Sequence, residues 1–411
     1  MTRVEVLAWH PTGEKCLKRD GRPLTVKVDG SAAAPPERVC AAVREQLGLD
    51  VTLLRVAAPN LAEVECAADA PLAGLYWQHR EMQPPPCRRP AWGRPGWLGG
   101  VMASIDVELA KLGRTRAGRP EQVRHSSVTG LLRLPTSRGP VWLKALPPLF
   151  AHEARTIRWL SQICDHPLPT VLAEGGGWWL AEDFPPPATS PSGDPLVSLA
   201  RIQITAASRI GELRALGCPD RPLAALPILV RQITDRTDLL DPVDRGRLIE
   251  ALPPLDAACA EADRLGLPLT IAHCDISPEN TRWTDNGWLL YDWTDACLTH
   301  PFVDLASPLS YQGVKGAAAA RASAYAAVWE EGLPSAAVAR ALELSPVIGA
   351  AHQMANYARI VDAVEPDAAD VASRRELVVF LRYWTSRLLA ALSVARDEVT
   401  HPRPDLVSDT R

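Results

Sequence analysis

One segment of the sequence, IAHCDISPENTRWTDNGWLLYDWTDA (residues 271–296), brings together polar side chains that could do chemistry. Its first half is predicted to be a loop, because Pro278 cannot continue a helix, and this loop contains Asp275 and Asn280. Its second half has an Asp-Asn-Gly turn followed by WLLYDW, which predicts a hairpin with Asp292 near the end of the returning strand. We expect this loop and strand to hold carboxylates rigidly at a cleft.

Phosphoryl transfer is the reaction that these side chains fit. It requires a carboxylate that orients the attacking hydroxyl and accepts its proton, oxygen ligands for Mg²⁺, and a cation at the nucleotide phosphates. Asp275 is the candidate base. Asn280 and Asp292 are the candidate Mg²⁺ ligands, because this ion prefers hard oxygen donors. His273 is predicted to have a mainly structural part.

The elements that must position these groups can be predicted from the residue patterns on either side. Residues 123–134 and 140–145 are predicted to be two strands joined by a turn. Residues 149–163 carry apolar side chains at helical spacing and predict one helix, while residues 178–184 predict a further short strand. After Pro195 the chain is predicted to be mostly helical.

A proline-rich segment marks the main predicted domain boundary. MQPPPCRRPAWGRPGW (residues 82–97) is predicted to be a linker, because it cannot continue a helix or a central strand. Residues 98–185 are then expected to form a small β-rich lobe and residues 186–411 a large helical lobe. The predicted fold class is α+β, with the two-lobed layout of a kinase. The last helix should face the core through an apolar stripe, formed by Leu377, Phe380, Leu381, Trp384 and Leu388.

The segment resembles the catalytic region of the aminoglycoside and choline phosphotransferase family, which has a protein-kinase-like fold. His273, Asp275, Asn280 and Asp292 match the catalytic loop and metal-binding signature of that family. The resemblance implies ATP and Mg²⁺ as cofactors, and it implies that Asp304 in HPFVDLA braces the catalytic loop. The family tends to have glycine after the histidine and another histidine before the proline. This chain has cysteine and serine there, so the acceptor stays open.

The same resemblance implies roles for residues of the small lobe. VWLKA is similar to the strand that carries the phosphate-binding lysine, which would be Lys144, and Glu153 would pair with that lysine. WLAEDF is similar to the hinge strand that receives adenine through backbone groups near Glu182–Phe184. RHSSVTGLLRL would cover the phosphates, with Ser126 and Ser127 offering hydroxyl and backbone N–H groups in place of a glycine-rich loop.

Residues 1–81 resemble a degenerate Nudix domain, a small α/β fold. The sequence VEVLAWHPTGEKCLKRDGRPLTVKVDG suggests strands with turns, and PPERVCAAVREQLGLDV suggests a helix that starts at proline. This helix contains REQLG where a Nudix helix carries REUxEExGU, with U a bulky aliphatic residue. The paired glutamates are missing, so no metal cage to activate water is evident. We predict an inert or substrate-sensing domain.

Composition restricts the possible partners and compartment. The net charge of −4 is spread over interspersed acids and bases, which argues against a nucleic-acid binder with a basic face. Apolar runs are too short to cross a membrane, and the N-terminus lacks the features of a signal peptide. The nine cysteines are scattered without CxxC spacing, as is typical of a reducing compartment. We therefore predict a cytoplasmic protein without nucleic-acid or membrane partners, of open oligomeric state.

The leading functional hypothesis is an ATP-dependent phosphotransferase that acts on a hydroxyl of a small molecule. The acceptor could be aminoglycoside-like, a sugar or an amino alcohol. One alternative is a kinase that phosphorylates serine or threonine of a peptide. Another alternative, from a different class, is a non-catalytic nucleotide-binding sensor. The complete set of Asp275, Asn280 and Asp292 argues against the sensor, since a protein without turnover is free to lose these residues.

Overall fold

The computed structural model describes residues 1–29, 36–58, 60–66, 74–80, 89–310, 315–364 and 371–400. The described residues form two compact units. The first unit contains the described residues of Met1–Arg158, Pro169–Pro185 and Ile360–Leu377. The second contains those of Trp159–Leu168, Pro186–Arg359 and Val378–Arg411. Strands are concentrated before Pro185 and helices after it, which confirms the predicted α+β class.

Six strands near the N-terminus form a mixed sheet. They are β1 (Thr2–Trp9), β2 (Lys15–Lys18), β3 (Leu24–Val28), β4 (Val51–Ala58), β5 (Leu61–Cys66) and β6 (Tyr76–His79). The order is β4-β5-β1-β2-β6 with β3 paired to β1, and β1 runs parallel to β5. Val4 and Val6 alternate inward from β1 and share a core with Val39 and Val43 of helix α1 (Pro36–Leu47). The helix begins at proline as predicted, while the Nudix-like interpretation stays a prediction.

The segment predicted to be a linker is described only from residue 89 onward, since residues 82–88 lie outside the described residues. Its remainder contains a 3₁₀ turn (Ala91–Gly93) with a buried Trp92, and helix α2 (Trp97–Lys111) begins at its last residue. The division of the chain at residues 81 and 98 stays a prediction.

A second sheet in the first unit has five antiparallel strands. They are β7 (Glu121–His125), β8 (Gly130–Leu134), β9 (Val141–Ala145), β10 (Val171–Gly175) and β11 (Trp178–Glu182), in the order β10-β11-β9-β8-β7. Leu132, Leu143 and Leu180 form a core with Ile105 and Leu109 of α2. The prediction of one strand over residues 123–134 is wrong, because a turn at residues 126–129 folds it into a hairpin. Helix α3 (Glu153–Ile163) follows β9 after a 3₁₀ turn (Pro148–Phe150), so the predicted helix begins later than expected.

Helices make up most of the chain after Pro195, as predicted. They are α4 (Pro195–Ala207), α5 (Ile210–Ala215), α6 (Leu226–Thr234), α7 (Pro242–Arg264), α8 (Ala306–Ser310), α9 (Lys315–Glu330), α10 (Ser335–Ala363) and α11 (Val371–Thr400). Asp194 caps α4 and Asp241 caps α7, each with proline in the first helical turn, which is a favoured way to start a helix. None of the helices in the described ranges combines the length and the apolar character needed to cross a membrane.

Two short strand pairs interrupt these helices. Strand β12 (Thr270–Ala272) pairs with β15 (Cys297–Thr299), and β13 (Thr281–Thr284) pairs with β14 (Gly287–Leu290). The hairpin predicted within residues 271–296, the candidate catalytic segment, is therefore present, although its returning strand ends at Leu290 and not at Asp292.

The apolar stripe of the last helix is largely buried. Leu377, Leu381, Trp384 and Leu388 are buried, but Phe380 is 41% exposed. The ring of Phe380 stacks on Tyr357 with centroids 5.4 Å apart. Assigning Phe380 to the core was wrong, because it lies at the margin of the stripe, where a neighbouring ring covers only part of it.

Candidate active site

A buried ion pair lies in the second sheet of the first unit. Lys144 on β9 places its Nζ 2.7 Å from Oε1 of Glu153, the first residue of α3. Lys144 is 8% exposed and Glu153 is fully buried. The lysine stands directly opposite Trp179 of β11 in the strand register. Trp179 donates from Nε1 to Oε2 of Glu153 at 3.1 Å, so both carboxylate oxygens have donors. Side chains from β9, α3 and β11 thus hold the ion pair in place.

Removing the lysine of this pair should destabilise the fold. Lys144→Met leaves the Glu153 carboxylate buried without its cation, and breaking a buried pair in this way costs about 3–5 kcal/mol. Urea denaturation should show this loss in the free energy of unfolding. The double variant Lys144→Met/Glu153→Leu should recover most of it, because no unpaired charge stays buried.

The matched control for this experiment is the exposed pair between Lys111 and Glu108, which are 2.7 Å apart. Lys111→Met should cost about 1 kcal/mol or less, as is usual for surface pairs. The account of the buried pair would be wrong if Lys144→Met were no more costly than Lys111→Met.

The turn between β7 and β8 contains the two predicted phosphate-loop serines. The Ser126 hydroxyl accepts the backbone N–H groups of Val128 (3.3 Å) and Thr129 (3.1 Å), so this side chain closes its own turn. Ser127 is buried, and among the described residues its Oγ has no hydrogen-bond partner. The role of both serines in binding a nucleotide stays a prediction.

Trp92 anchors this turn from the preceding 3₁₀ segment. Its Nε1 donates to the carbonyl oxygen of Ser126 at 2.9 Å. Its ring also covers Gly130, where an added Cβ would lie 2.9 Å from Trp92 Cγ. The glycine is therefore needed for close packing of the indole. Trp92 was missed at the sequence level, since it lies within a proline-rich segment.

The predicted hinge follows the end of β11. The Glu182 carboxylate forms an ion pair with Arg114, with Nη1 2.9 Å from Oε2. The backbone N–H of Glu182 donates to the Thr170 carbonyl oxygen at 3.0 Å, and that of Phe184 donates to Asp183 Oδ1 at 3.1 Å. The side chain of Glu182 is thus committed to a structural pair, and adenine recognition through backbone groups near Glu182–Phe184 stays a prediction.

The catalytic segment lies in the second unit, and its loop is held by its own side chains. Asn280 donates from Nδ2 to Asp275 Oδ2 at 2.8 Å and to the Asp275 carbonyl oxygen at 2.9 Å. The fully buried ring of His273 accepts the Asp275 N–H on Nδ1 at 3.3 Å, and its Nε2 lies 3.1 Å from the Tyr291 carbonyl oxygen. Because Nδ1 accepts a hydrogen bond, the proton of the neutral ring is on Nε2, which donates to Tyr291. These contacts agree with the structural role predicted for His273.

Asp292 is brought to this loop by the residue before it. The backbone of Tyr291 donates to the Asn280 carbonyl oxygen at 3.1 Å and accepts from His273. Asp292 itself has a left-handed backbone, with φ 64° and ψ 60°, and its Oδ1 accepts the hydroxyl of Thr294. A left-handed non-glycine residue is held at an energetic cost, which is common at functional sites. The structure therefore brings Asp275, Asn280 and Asp292 into one region.

A buried carboxylate beneath the loop braces its backbone. Asp304 accepts the N–H of His273 at 2.9 Å, the N–H of Cys274 at 2.5 Å and the amide of Gln203 at 2.7 Å. Burial raises the pKa of Asp304 to about 7, although these three donors oppose the shift. The bracing role predicted for Asp304 is confirmed. Gln203, on helix α4, was not identified from the sequence, since a glutamine within a helix gives no local signal.

The candidate site residues are thus divided between the two units. The first unit holds Lys144 paired with Glu153, together with the hairpin serines and the hinge. The second unit holds the potential base and the potential metal ligands. Hard oxygen atoms from Asn280 and Asp292 are suitable for Mg²⁺. A buried, charge-paired lysine is suitable for phosphate groups. Both sets of side chains fit the reaction predicted for them.

Comparison with known proteins places this chain among the phosphotransferases. The model of a family described as the phosphotransferase enzyme family matches residues 132–340, just over half of the 411 residues. This stretch includes Lys144, Glu153 and the whole catalytic segment. No curated protein matches the chain.

Several solved structures are similar to this chain at low sequence identity. Choline kinase from Cryptosporidium parvum Iowa II is 15% identical with a TM-score of 0.47, covering 69% of this chain and 90% of that one. A choline/ethanolamine kinase family protein from Mesorhizobium loti is 16% identical with a TM-score of 0.43, covering 71% and 99%. A macrolide 2′-phosphotransferase from Brachybacterium faecium is 18% identical with a TM-score of 0.43, covering 68% and 97%. On the family match, the chain belongs to the phosphotransferase enzyme family.

Proposed function

We propose that this phosphotransferase moves the γ-phosphate of ATP to a hydroxyl group of a small molecule. The observation that carries the proposal is the Asp275 carboxylate, which Asn280 holds at 2.8 Å in a loop braced by Asp304. A base for an incoming hydroxyl needs a fixed carboxylate within hydrogen-bond reach of its substrate. The left-handed backbone of Asp292 next to this loop supports a site built for a ligand.

Each residue of the second unit has its own part in this proposal. Asp275 orients the acceptor hydroxyl and takes its proton. The amide nitrogen of Asn280 faces Asp275, so its Oδ1 is the atom left for Mg²⁺, and Asp292 contributes a carboxylate oxygen. Mg²⁺ held by these two side chains would supply positive charge that offsets the negative charge of the phosphate groups.

The residues of the first unit bind the nucleotide in this proposal. Lys144 holds the phosphates, and Glu153 keeps the ammonium in place. Since the Ser126 hydroxyl accepts the N–H groups of Val128 and Thr129, Ser127 is the residue of this turn that contributes its hydroxyl. The backbone near Glu182–Phe184 receives adenine. A cytoplasmic location, the absence of nucleic-acid and membrane partners, and a substrate-sensing or inert role of residues 1–81 belong to the same proposal.

The test is an acceptor screen with purified full-length protein. Mg·ATP is incubated with aminoglycosides, macrolides, sugars, amino alcohols and serine- or threonine-containing peptides, and products are detected by mass spectrometry. We expect one small-molecule class to gain a phosphate, and Asp275→Asn protein should form no detectable product. Phosphorylated peptides without small-molecule products would favour the peptide kinase. A melting-temperature increase with Mg·ATP, without consumption of ATP on any acceptor, would favour the sensor.

A further inference from the structure

Two cysteines and a histidine that take no part in the proposed transfer converge in the core of the second unit. Cys274 follows strand β12, Cys297 begins strand β15, and His352 lies on helix α10. The register of β12 and β15 pairs Ala272 with Cys297, which brings the two sulfur atoms together. The Sγ atoms are 3.6 Å apart, and His352 Nε2 lies 3.5 Å from Cys297 Sγ and 3.9 Å from Cys274 Sγ. All three side chains are buried.

These separations match the edges of a tetrahedral zinc site. With Zn–S bonds of about 2.3 Å and Zn–N bonds of about 2.0–2.1 Å, tetrahedral angles give about 3.8 Å between two sulfur ligands and about 3.6 Å between sulfur and nitrogen. The three observed distances lie within a few tenths of an ångström of these values. Both cysteines are free thiols, so a metal ion can bind to them once they lose their protons.

The backbone of Cys274 points to a use for its side chain. Its φ is +65°, a left-handed conformation that glycine adopts freely and that costs other residues about 1–3 kcal/mol. The segment is held in place by Asp304, which accepts the Cys274 N–H, and by Gln353, which donates from Nε2 to the Cys274 carbonyl oxygen. A cysteine at this position is costly to keep unless its sulfur contributes something that glycine cannot.

Charged groups around the cluster act on the two thiols in opposite directions. Arg221 and Arg359 both donate to Asn356 Oδ1, at 2.9 and 2.8 Å, one helical turn from His352. Their guanidinium groups stabilise thiolates and keep a buried imidazole neutral. Burial raises the pKa of the Cys274 thiol, and Cys297 and the Asp304 carboxylate add to this shift, so the metal ion itself has to displace the proton from this sulfur. Two thiolates balance the charge of Zn²⁺, so the filled site would add no net charge to the core.

We propose that Cys274, Cys297 and His352 bind a zinc ion that ties the catalytic loop to β15 and α10. Binding releases two thiol protons to solvent, and both sulfur atoms and Nε2 become ligands of the ion. The ion has a structural role, because it holds the loop in place at Cys274, between His273 and the candidate base Asp275. The zinc proposal can be tested independently of the proposed phosphoryl transfer, because metal occupancy is measured without nucleotide or acceptor.

The first experiment measures metal in the full-length protein. Wild-type protein is stripped with a chelator under reducing, anaerobic conditions and then reconstituted with Zn²⁺ or Co²⁺. We expect about one equivalent of zinc per chain by elemental mass spectrometry. The Co²⁺ protein should show a near-ultraviolet thiolate-to-cobalt charge-transfer band, and zinc should raise its melting temperature. Failure to take up either ion would overturn the proposal, as would a Co²⁺ protein without this band.

Variants then assign the ligands. Cys274→Gly suits the left-handed backbone, so it should fold while its metal content falls to background. Cys297→Ser and His352→Gln should each weaken zinc binding by about 10-fold or more. The matched control is Cys259→Ser, a buried cysteine on α7 outside the cluster, which should bind as wild type does. Equal zinc affinity in Cys274→Gly and wild type would contradict the proposal. So would a Cys274–Cys297 disulfide found by peptide mapping of protein isolated with its thiols trapped.

Discussion

Asp275→Asn is expected to lower turnover by about 10²–10⁴-fold, the usual contribution of a general base, while nucleotide affinity stays close to that of wild type. Asparagine keeps the size of the side chain and one oxygen that can accept a hydrogen bond from Asn280 Nδ2. In the wild-type protein this nitrogen lies 2.8 Å from the Asp275 carboxylate. It removes only the ability to take a proton. Turnover with the acceptor found in the screen, and affinity for Mg·ATP, are the two measurements.

The control for this variant is Asp285→Asn, in the exposed turn between β13 and β14. It makes the same chemical change within the same segment and should leave turnover unchanged. An Asp275→Asn enzyme with wild-type turnover would rule out Asp275 as the base.

Asp304→Ala is expected to lower the free energy of unfolding by about 3–5 kcal/mol, a loss as large as that expected for Lys144→Met. The substitution leaves the N–H groups of His273 and Cys274 and the amide of Gln203 without their acceptor. Each buried donor left unsatisfied costs about 1–3 kcal/mol. Removing a buried carboxylate recovers part of this cost, since burial disfavours its charged form.

The stability of this variant is measured by urea denaturation and compared with two others. Asp304→Asn keeps one carbonyl oxygen as an acceptor and should lose about half as much as Asp304→Ala. Asp256→Ala removes an exposed aspartate from α7 and should have little effect. A loss below about 1 kcal/mol in Asp304→Ala would mean that the carboxylate does not brace the loop.

The local structure around the candidate catalytic residues could be predicted from sequence because these residues lie close together along the chain. Pro278 and the Asp-Asn-Gly turn are strong local signals, and they correctly predicted a loop around Asp275 and Asn280 and a hairpin just before Asp292. The apolar and charged pattern around Lys144 and Glu153 likewise predicts a strand and a helix, which the structure contains. Local patterns of this kind depend on neighbouring residues and little on tertiary contacts, so predictions from them agree with the folded structure.

The features that could not be predicted depend on tertiary contacts. The left-handed backbones of Cys274 and Asp292 were not predicted, because cysteine does not favour this conformation and aspartate, although it adopts it more often than most residues, does so at only a small share of positions. The turn after β7 has neither glycine nor proline in its Ser-Ser-Val-Thr sequence, so residues 123–134 read as one strand. The pairing of Cys297 with His352 joins residues more than fifty positions apart, and no spacing rule indicates it.

The division of roles between the two aspartates is tested most directly by titrating Mg·ATP into Asp275→Asn and Asp292→Asn protein in a calorimeter. Asp292→Asn removes a charged ligand of Mg²⁺, so we expect Mg·ATP to bind at least about tenfold more weakly than to wild type. Asp275→Asn removes no metal ligand and should bind Mg·ATP as wild type does. Equal affinities in the two variants, or weaker binding by Asp275→Asn, would contradict the assignment of the base and the metal ligand.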